Sequence, residues 1–457
     1  AVVHLKQVVR RQLDPVLLST SDDIYIDKTR QQFDNYLKWY LSEGIGNAFF
    51  WRPSHQWSGV RGTDEGFYKR SLFLLGQLKM PYALLVEGRT IPGKDINPTD
   101  EILSGPCYLG RQAHEDDGSF YYWHHFKWQG LYSDLAAKFR PYGGIFARTR
   151  PVRTKEGTFV FYSPHASANM REGAEDFVRN IKEAKGPSTR HTGPSTLFRY
   201  FYQAGYDWLG AEQMYGPEEV VISSLRGASK AYGKARYGTH LASQWSSGPY
   251  DTPEHACRLF LSLAVSYLHG GTHINTEDAL WNTEDGHDRY TKSGQEHIAQ
   301  QKKIFDFIQT HERRGHFVSP IAIMQGRNDA WKCFGRNQAW GQHGEEWQFG
   351  PPEESFDLLE VFYPGSVLNS IYRSPCPKEQ HGWYSGTPFG PVDLLPVEAP
   401  QEVLNSYRAI VFLGWNNYNN EDFHRLLDFV QQGGTLIMAR PHLNTGLRRN
   451  RPSVVPG

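Results

Sequence analysis

The sequence is poor in cysteine, in net charge and in long hydrophobic runs, and each shortage excludes a class of protein. Its 457 residues include 4 cysteines, far apart at Cys107, Cys257, Cys333 and Cys376. They fit no CxxC or zinc-type spacing, so we expect structural thiols, with one disulfide as the alternative for an exported protein. The 49 basic and 49 acidic residues balance, which gives no electrostatic basis for binding nucleic acid or an anionic membrane.

Hydrophobic runs are also short. None approaches the roughly 18 residues that a membrane helix needs, so no membrane span is expected. A signal peptide is not recognisable, but the chain begins with Ala1 rather than Met, which is compatible with removal of an export signal. We therefore expect a secreted or periplasmic protein, with a cytoplasmic location as the alternative.

Aromatic residues are abundant instead. They make up 14% of the chain, including 13 Trp and 25 Tyr. Many must fill cores, because aromatic side chains bury large areas, but those on loops offer flat stacking surfaces for sugar rings. A carbohydrate is therefore the expected substrate, and the length of the chain predicts two or three domains.

The region 205–281 contains three segments that run from apolar or aromatic residues into chemically active ones. They read AGYDWLGAEQMYG, RYGTHLASQWSSGP and LAVSYLHGGTHINTEDALW, with helical sequence between them. Functional residues at successive strand ends, separated by helices, are typical of a (β/α)8 barrel. The residues at these ends are Glu212, Gln213, Gln244, Trp245, Glu277, Asp278 and Trp281.

Alternating helix and strand patterns extend the predicted barrel over roughly eight strand candidates between residues 46 and 325. Helices are predicted over 26–42, 67–78, 172–184 and 295–310, and loops over 90–129 and 186–196. The segment GGIFARTRPVR is predicted as a strand, and TFVFYSPHASAN as its hairpin partner or the next barrel strand. FVSPIAIMQGRNDAW is predicted as the last barrel strand. Other strand ends carry Glu87, Arg89, Arg148, Arg150, Arg327, Asn328 and Asp329.

A second domain is predicted after the barrel. We divide the chain into a barrel over 1–345 and a doubly wound α/β domain over 346–457, because strand and helix patterns alternate again in TPFGPVDLLPV, SYRAIVFLGWNN, NEDFHRLLDFVQQGG and TLIMARP. These strands are too few to complete such a sheet, so we expect that the natural chain continues beyond Gly457 or that another domain follows.

Two carboxyl groups at barrel strand ends, among aromatic side chains, predict cleavage of glycosidic bonds. One group must be protonated to assist the leaving oxygen, and the other must be ionised to attack or to activate water. Glu277 and Glu212 are the preferred pair, with Glu87 as an alternative partner. A helix-start role for Glu277 and an ion pair for Glu212 are the structural alternatives.

The same residues also support alternative hypotheses about substrate and function. Arginines at strand ends would suit an anionic sugar such as a uronic acid, or else ion pairs with acids of the cleft. With uronic acids, a polysaccharide lyase using Tyr162, His165, His240 or His273 as base is an alternative, as is a non-catalytic sugar-binding barrel. The run 114–117 (HEDD) is interpreted as a cleft loop rather than a metal site, and no metal or cofactor is predicted.

A barrel followed by YRAIVFLGWNNYNNEDFHRLLDFVQQGGTLIMARP resembles glycoside hydrolases of the family 42 β-galactosidase type. The resemblance implies a catalytic (β/α)8 barrel and a flavodoxin-like domain that takes part in trimer formation, so a homo-oligomer, dimer or trimer, is expected. That domain is similar to a glutamine amidotransferase without its catalytic residues; here Asn416 and Asn417 follow the predicted strand.

One departure from the family pattern concerns the acids. The clan places its acid/base as Asn-Glu at the end of strand four and its nucleophile at the end of strand seven. Glu277 suits the strand-seven position. Glu212 follows Ala211 rather than Asn and is predicted to end strand five, so galactosidase activity is not carried over to this chain.

Overall fold

The strands and helices that build the molecule were obtained from a computed structural model. It describes residues 16–21, 30–51, 65–86, 104–114, 150–153, 159–162, 170–185, 188–193, 195–213, 218–242, 253–277, 281–282, 287–288, 292–311, 313, 315–329, 357–364, 389–413 and 418–438.

Eight parallel strands close into a barrel. In chain order they are β1 (Leu17–Ser21), β2 (Ala48–Trp51), β3 (Tyr82–Val86), β4 (Tyr108–His114), β7 (Arg190–Gly193), β8 (Trp208–Gln213), β9 (Gly238–Leu241) and β10 (His273–Thr276). Their order around the barrel is β1-β10-β9-β8-β7-β4-β3-β2, so the first and last strands are neighbours. A parallel closed ring with helices between its strands is a (β/α)8 barrel.

Helices follow the barrel strands along the chain. They are α1 (Arg30–Glu43), α2 (Glu65–Gln77), α3 (Met170–Lys185), α4 (Phe198–Gln203), α5 (Glu218–Ala231), α6 (Pro253–Leu268) and α7 (Lys292–Thr310). Alternate strand residues pack outward against them. Leu18 and Ile274 join Leu259 and Leu263 of α6 in one core cluster, and Phe49 joins residues of α1 and α2 in another. Period-two burial of this kind fixes which face of each strand points into the barrel.

A second parallel sheet follows the barrel. Its strands are β13 (Ile321–Gln325), β14 (Val392–Pro396), β15 (Ala409–Val411) and β16 (Thr435–Ile437), in the order β14-β13-β15-β16. Helices α8 (Gln401–Leu404) and α9 (Asn420–Gln431) accompany it, and a 3₁₀ helix covers Asp357–Val361. Asn419 and Asp422 form a capping box at the start of α9, which satisfies two backbone N–H groups that a helix start leaves unpaired.

The barrel and this sheet are in direct contact through α5 and β14. The contact is close because Gly227 of α5 has no side chain: a Cβ there would lie 1.9 Å from the carbonyl oxygen of Leu394. Apolar residues of α4, α5, β13 and β14 share one buried cluster. The side chains of two buried arginines also form contacts across this junction. Arg226 pairs with Asp393, and Arg199 donates to Glu398 at 2.6 Å and to the carbonyl oxygen of Gly326 at 2.5 Å.

Several sequence-based assignments require correction. The segment predicted as the last barrel strand is β13 of the second sheet, where Ile321 to Gln325 pair with β14. Two barrel strands, β4 and β7, lie within segments predicted to be loops. The first barrel strand, β1, lies in a part of the chain for which no strand was predicted. The errors on β4 and β7 share a cause: their inward faces are polar, so neither strand shows the apolar run that predicts a buried strand.

The hairpin interpretation of the two segments after residue 145 is confirmed. Strands β5 (Arg150–Arg153) and β6 (Phe159–Tyr162) pair antiparallel and do not belong to the barrel. A second small hairpin joins β11 (Trp281–Asn282) to β12 (His287–Asp288). The predicted helices correspond to α1, α2, α3 and α7, with ends within a few residues of those expected.

Candidate active site

The interior of the barrel is polar along the strands that the sequence indicated. Along β10, His273 and Asn275 face inward, and Glu277 follows at the same spacing, whereas Ile274 faces the helices. Branched apolar residues ordinarily fill the interior of such barrels. A buried polar interior costs free energy unless its groups are hydrogen-bonded, so its presence marks the functional region.

The structure brings the two preferred glutamates together. Glu212, on β8, lies beside His240 of β9 in the strand register, and Glu277 follows directly after β10. Glu212, His240 and Glu277 are 2%, 0% and 4% exposed. One side-chain oxygen or ring nitrogen of each lies within 4.8 Å of those of the other two. Two carboxyl groups and an imidazole therefore meet at the C-terminal end of the barrel, where enzymes of this fold carry their active sites.

The positions of these acids around the ring differ from those expected. Counted along the chain, β8 is the sixth barrel strand and β10 the eighth. Glu212 therefore belongs to strand six rather than five, and Glu277 follows strand eight rather than seven. The miscount arises because β1, β4 and β7 were not recognised as barrel strands, whereas the segments that form β5 and β6, outside the barrel, were among the strand candidates. Strand seven, β9, separates the two acids and supplies His240.

His240 makes a hydrogen bond at each ring nitrogen. Its Nε2 lies 2.5 Å from Oε2 of Glu277, and its Nδ1 lies 2.7 Å from the amide nitrogen of Asn275. The ring of Phe50 approaches edge-on, with centroids 5.7 Å apart. These contacts hold the imidazole in one orientation against Glu277.

Further polar residues continue from Asn275 toward the N-terminal end of the barrel. Oγ of Ser19 donates to Oδ1 of Asn275 at 2.7 Å and lies 2.7 Å from Nε2 of His273. Nδ1 of His273 lies 2.7 Å from a guanidinium nitrogen of Arg190. Burial, with Arg190 as its neighbour, lowers the pKa of His273 well below the usual value, so this imidazole is neutral at physiological pH.

Arg190 is a buried cation with unusual surroundings. Its guanidinium stacks on the ring of Trp208 at 3.7 Å from the centroid and donates to Oε1 of Gln112 at 3.3 Å. Burial lowers its pKa to about 9, which still leaves it protonated at neutral pH. The glycines at 210 and 238 make room for Trp208, since a Cβ at either would lie within 3 Å of the indole ring.

The remaining predicted site residues are not brought into this cluster by the described part of the structure. Glu87, Arg89, Arg148, Gln244, Trp245 and Asp278 lie outside the described residues. Arg150 begins β5 and Trp281 begins β11, and only their backbone positions are described. Gln213 of β8 is buried beside Leu241 of β9 in the strand register.

Arg327, Asn328 and Asp329 belong elsewhere. They follow β13 in the second sheet rather than a barrel strand. Arg327 donates two hydrogen bonds to the carboxylate of Asp422, at 2.8 and 3.0 Å, and Asp329 accepts from the backbone N–H of Gly326 at 2.7 Å. The premise that they end a barrel strand is therefore corrected: Arg327 joins the segment after β13 to the start of α9, and Asp329 holds the turn at Gly326.

Sequence reasoning missed Ser19, Arg190 and Asn275. One signal was present: in HINTE, the residues at 273, 275 and 277 are all polar and alternate with others. On a strand this period places them on one face. No comparable signal marks Ser19, because its partners lie 254 and 256 residues away in the chain.

A metal site is the other chemistry that Glu212, His240 and Glu277 could support, since carboxylate and imidazole atoms at this separation can ligate one divalent cation. In the hydrogen-bonded arrangement, however, Nε2 of His240 is engaged with Glu277 and Nδ1 with Asn275. A ligating imidazole needs one unprotonated nitrogen directed at the metal. The observed contacts therefore favour an acid–imidazole–acid cluster, and the absence of a metal stays a prediction from the sequence.

The fold and the cluster define a (β/α)8 barrel with buried acids at its C-terminal end and a parallel sheet joined to it. Solved structures similar to this chain include two β-galactosidases. One is a polyextremophilic β-galactosidase from the Antarctic haloarchaeon Halorubrum lacusprofundi, with TM-score 0.53, 12% identity, and coverage of 92% of this chain and 72% of that one. The other is Gan42B, a GH42 β-galactosidase, with TM-score 0.51, 11% identity, and coverage of 93% and 72%.

These likenesses confirm the resemblance to family 42 β-galactosidases at the level of the fold. At such identities they carry no residue roles or substrate. The chain matches no protein-family model and no curated protein sequence. Among the described helices, none combines the length and apolar character that crossing a membrane requires.

Proposed function

We propose that the protein is a glycoside hydrolase that uses Glu212 and Glu277 as its catalytic pair. The supporting observation is the approach of their carboxyl oxygens to within 4.8 Å of each other and of His240. Two carboxyl groups flanking a glycosidic bond supply the proton and the nucleophile or base that its cleavage requires. The similarity of the fold to β-galactosidases is consistent with this chemistry.

The short separation favours retention of anomeric configuration. Retaining glycosidases hold their carboxyl groups about 5–5.5 Å apart, whereas inverting enzymes need roughly 6.5–9.5 Å to admit a water molecule. In this proposal Glu277, held by His240, attacks the anomeric carbon, and Glu212 donates a proton to the leaving oxygen. Water then hydrolyses the glycosyl–enzyme bond after Glu212, now ionised, removes its proton.

The substrate class is proposed only as a carbohydrate. A preference for anionic sugars rests on Arg89, Arg148 and Arg150, because Arg327 is committed to Asp422. The strand order of the second sheet, with β13 between β14 and β15, supports a flavodoxin-like domain. A homo-oligomer is part of the proposal by resemblance to family 42.

The test combines a substrate panel with matched variants. Aryl glycosides and anionic polysaccharides are assayed with the wild type, Glu277→Gln, Glu212→Gln and the control Glu421→Gln, whose carboxyl group is 72% exposed on α9. We expect each site variant to lose about 10²–10⁴-fold in kcat and the control to keep wild-type turnover. NMR of the first-formed product reports the anomeric outcome.

Each competing function predicts a different result. Wild-type activity in Glu277→Gln would contradict the proposal. An unsaturated, ultraviolet-absorbing product would indicate a lyase, and loss of turnover on chelation with recovery on adding a divalent cation would indicate metal chemistry. Sugar binding without turnover in the wild type would indicate a non-catalytic barrel.

A further inference from the structure

Five hydrogen bonds link Arg190 at the N-terminal end of the barrel to Glu277 at its C-terminal end. They run from Arg190 to His273, Ser19, Asn275, His240 and Glu277, with donor–acceptor distances of 2.7, 2.7, 2.7, 2.7 and 2.5 Å. Every group in this series of hydrogen bonds, except Arg190 and Glu277, can act either as a donor or as an acceptor. The two groups at the ends of the series therefore set the direction of all five bonds.

Arg190 fixes that direction because a guanidinium can donate but not accept. Its bond requires Nδ1 of His273 to accept, so the single proton of this neutral ring is on Nε2 and is donated to Ser19. The hydroxyl of Ser19 then donates to Oδ1 of Asn275. That contact turns the amide NH₂ toward His240.

The consequence at the far end is a defined proton position. Since Asn275 donates to Nδ1 of His240, the ring proton of His240 is on Nε2 and points at Oε2 of Glu277. Glu277 must accept, as an ionised carboxylate does. The reverse arrangement, with a protonated Glu277 donating to Nε2, would place two donors face to face at Arg190.

We propose that Arg190 is a positioning residue that keeps His240 in its Nε2–H form and so reserves Glu277 as the ionised carboxylate of the pair. Glu212 is then the proton carrier. This assignment of roles rests on the proposed function, whereas the proton position on His240 does not. Among the described residues, His240 and Glu212 are titratable groups that face Glu277. Arg190 and His273 lie at the other end of the hydrogen-bond series, toward the N-terminal end of the barrel.

The inference is tested by reading the ring nitrogens of His240 directly. Long-range ¹H–¹⁵N correlation spectra of histidine-labelled protein distinguish Nε2–H from Nδ1–H, and loss of the signal in His240→Asn assigns it. Spectra are recorded at pH 7 and pH 5 for the wild type, Arg190→Met, Ser19→Ala and the control Arg236→Met. Arg236 is an exposed arginine before β9.

We expect the neutral form of His240 in the wild type and in Arg236→Met to carry its proton on Nε2. In Arg190→Met and Ser19→Ala the direction of the hydrogen bonds is no longer imposed. Glu277 can then hold a proton and donate it to Nε2 of His240. Among neutral rings, the ratio of Nδ1–H to Nε2–H should rise about tenfold or more, the order of change that losing a charge-assisted hydrogen bond produces. Under the proposed function, kcat should fall by a similar factor with KM unchanged.

A wild-type ratio of the two ring forms in either variant, provided it folds, overturns the proposal. Ser19→Ala serves as the second test because it removes one oxygen and leaves Arg190 in place. The spectra report on Arg190 even if no glycoside is turned over. Absence of turnover in the wild type would therefore count against the proposed function alone.

Discussion

Buried arginines occur in two regions of the molecule, and the two regions treat their charge differently. At the junction between the barrel and the second sheet, Arg226 pairs with Asp393 and Arg199 with Glu398. These carboxylates raise the pKa of both guanidinium groups despite burial. Inside the barrel, Arg190 has neutral partners among the described residues, and burial lowers its pKa to about 9.

The different partners give the buried arginines different structural effects in the two regions. At the junction, cation and anion neutralise each other locally, so the pair fixes how α5 lies against β14. In the barrel, a series of polar side chains separates the cation from Glu277, and in our proposal its influence reaches that carboxylate through the direction of the hydrogen bonds. A neutral imidazole accepts from the guanidinium in both regions, His269 for Arg226 and His273 for Arg190, which makes the two regions comparable by mutation.

The largest expected effect is on stability at the junction. Arg226→Met leaves Asp393 buried without its main partner and should lower the free energy of unfolding by about 3–5 kcal/mol, although Lys230 still contacts Asp393 at 2.6 Å. Arg190→Met leaves no described carboxylate unpaired and should cost about 1–3 kcal/mol. Denaturant unfolding of both variants measures the difference. Equal losses would remove the distinction between the two regions.

The next effect concerns pH. Burial and the charge of Arg226 lower the pKa of His269 to about 3 from the usual 6.5. Between these values the unfolded chain binds a proton that the folded protein does not, so stability must fall as the pH falls below 6.5. The slope is about 1.4 kcal/mol per pH unit for each such histidine. From pH 6.5 to pH 5 His269 alone should therefore cost about 2 kcal/mol.

The matched variant is His269→Gln, which keeps an acceptor for Arg226 and cannot take up the proton. Unfolding measured at pH 6.5, 5.5 and 5 should show a shallower loss of stability than in the wild type, by about one proton. An unchanged pH slope would mean that His269 is already protonated in the folded protein. His273, whose pKa is also lowered, should maintain the rest of the slope.

The smallest expected effect separates geometry from charge. Arg327→Lys keeps the positive charge beside Asp422 but loses the two parallel hydrogen bonds of the guanidinium fork. We expect a loss of about 1 kcal/mol in unfolding free energy, and no change in kcat, because Arg327 lies in the second sheet. A large loss of turnover would return this residue to the substrate site.

The sequence predicted well the elements whose apolar faces follow a regular period. The strand ending at Glu212 and the helix that became α7 are examples, since their buried residues recur at the expected spacing. It failed on β4, β7 and β1. The sequence of β7, RHTG, contains no apolar residue, so no strand was predicted there. Its inward side chains, Arg190 and Thr192, belong to the polar interior.

The candidate site was predictable in part for the same reason. Glu212 and Glu277 could be selected because each ends a recognisable strand, but their separation depends on strand positions around a closed ring. That closure is not local information: β13 shows the same apolar pattern as a barrel strand and yet pairs with β14 and β15. Which sheet a strand joins is decided by distant packing partners.

Ser19 lies on the first barrel strand, whereas His273 and Asn275 lie on the last, 254 and 256 residues away. Counted from Arg190, the second and third hydrogen bonds of the series are therefore also bonds across the seam where the ring closes. Loop closure over such a distance is entropically costly and kinetically late. A folding intermediate whose ring is still open at this seam would already contain both glutamates and the imidazole, but nothing would yet dictate which of them holds the proton.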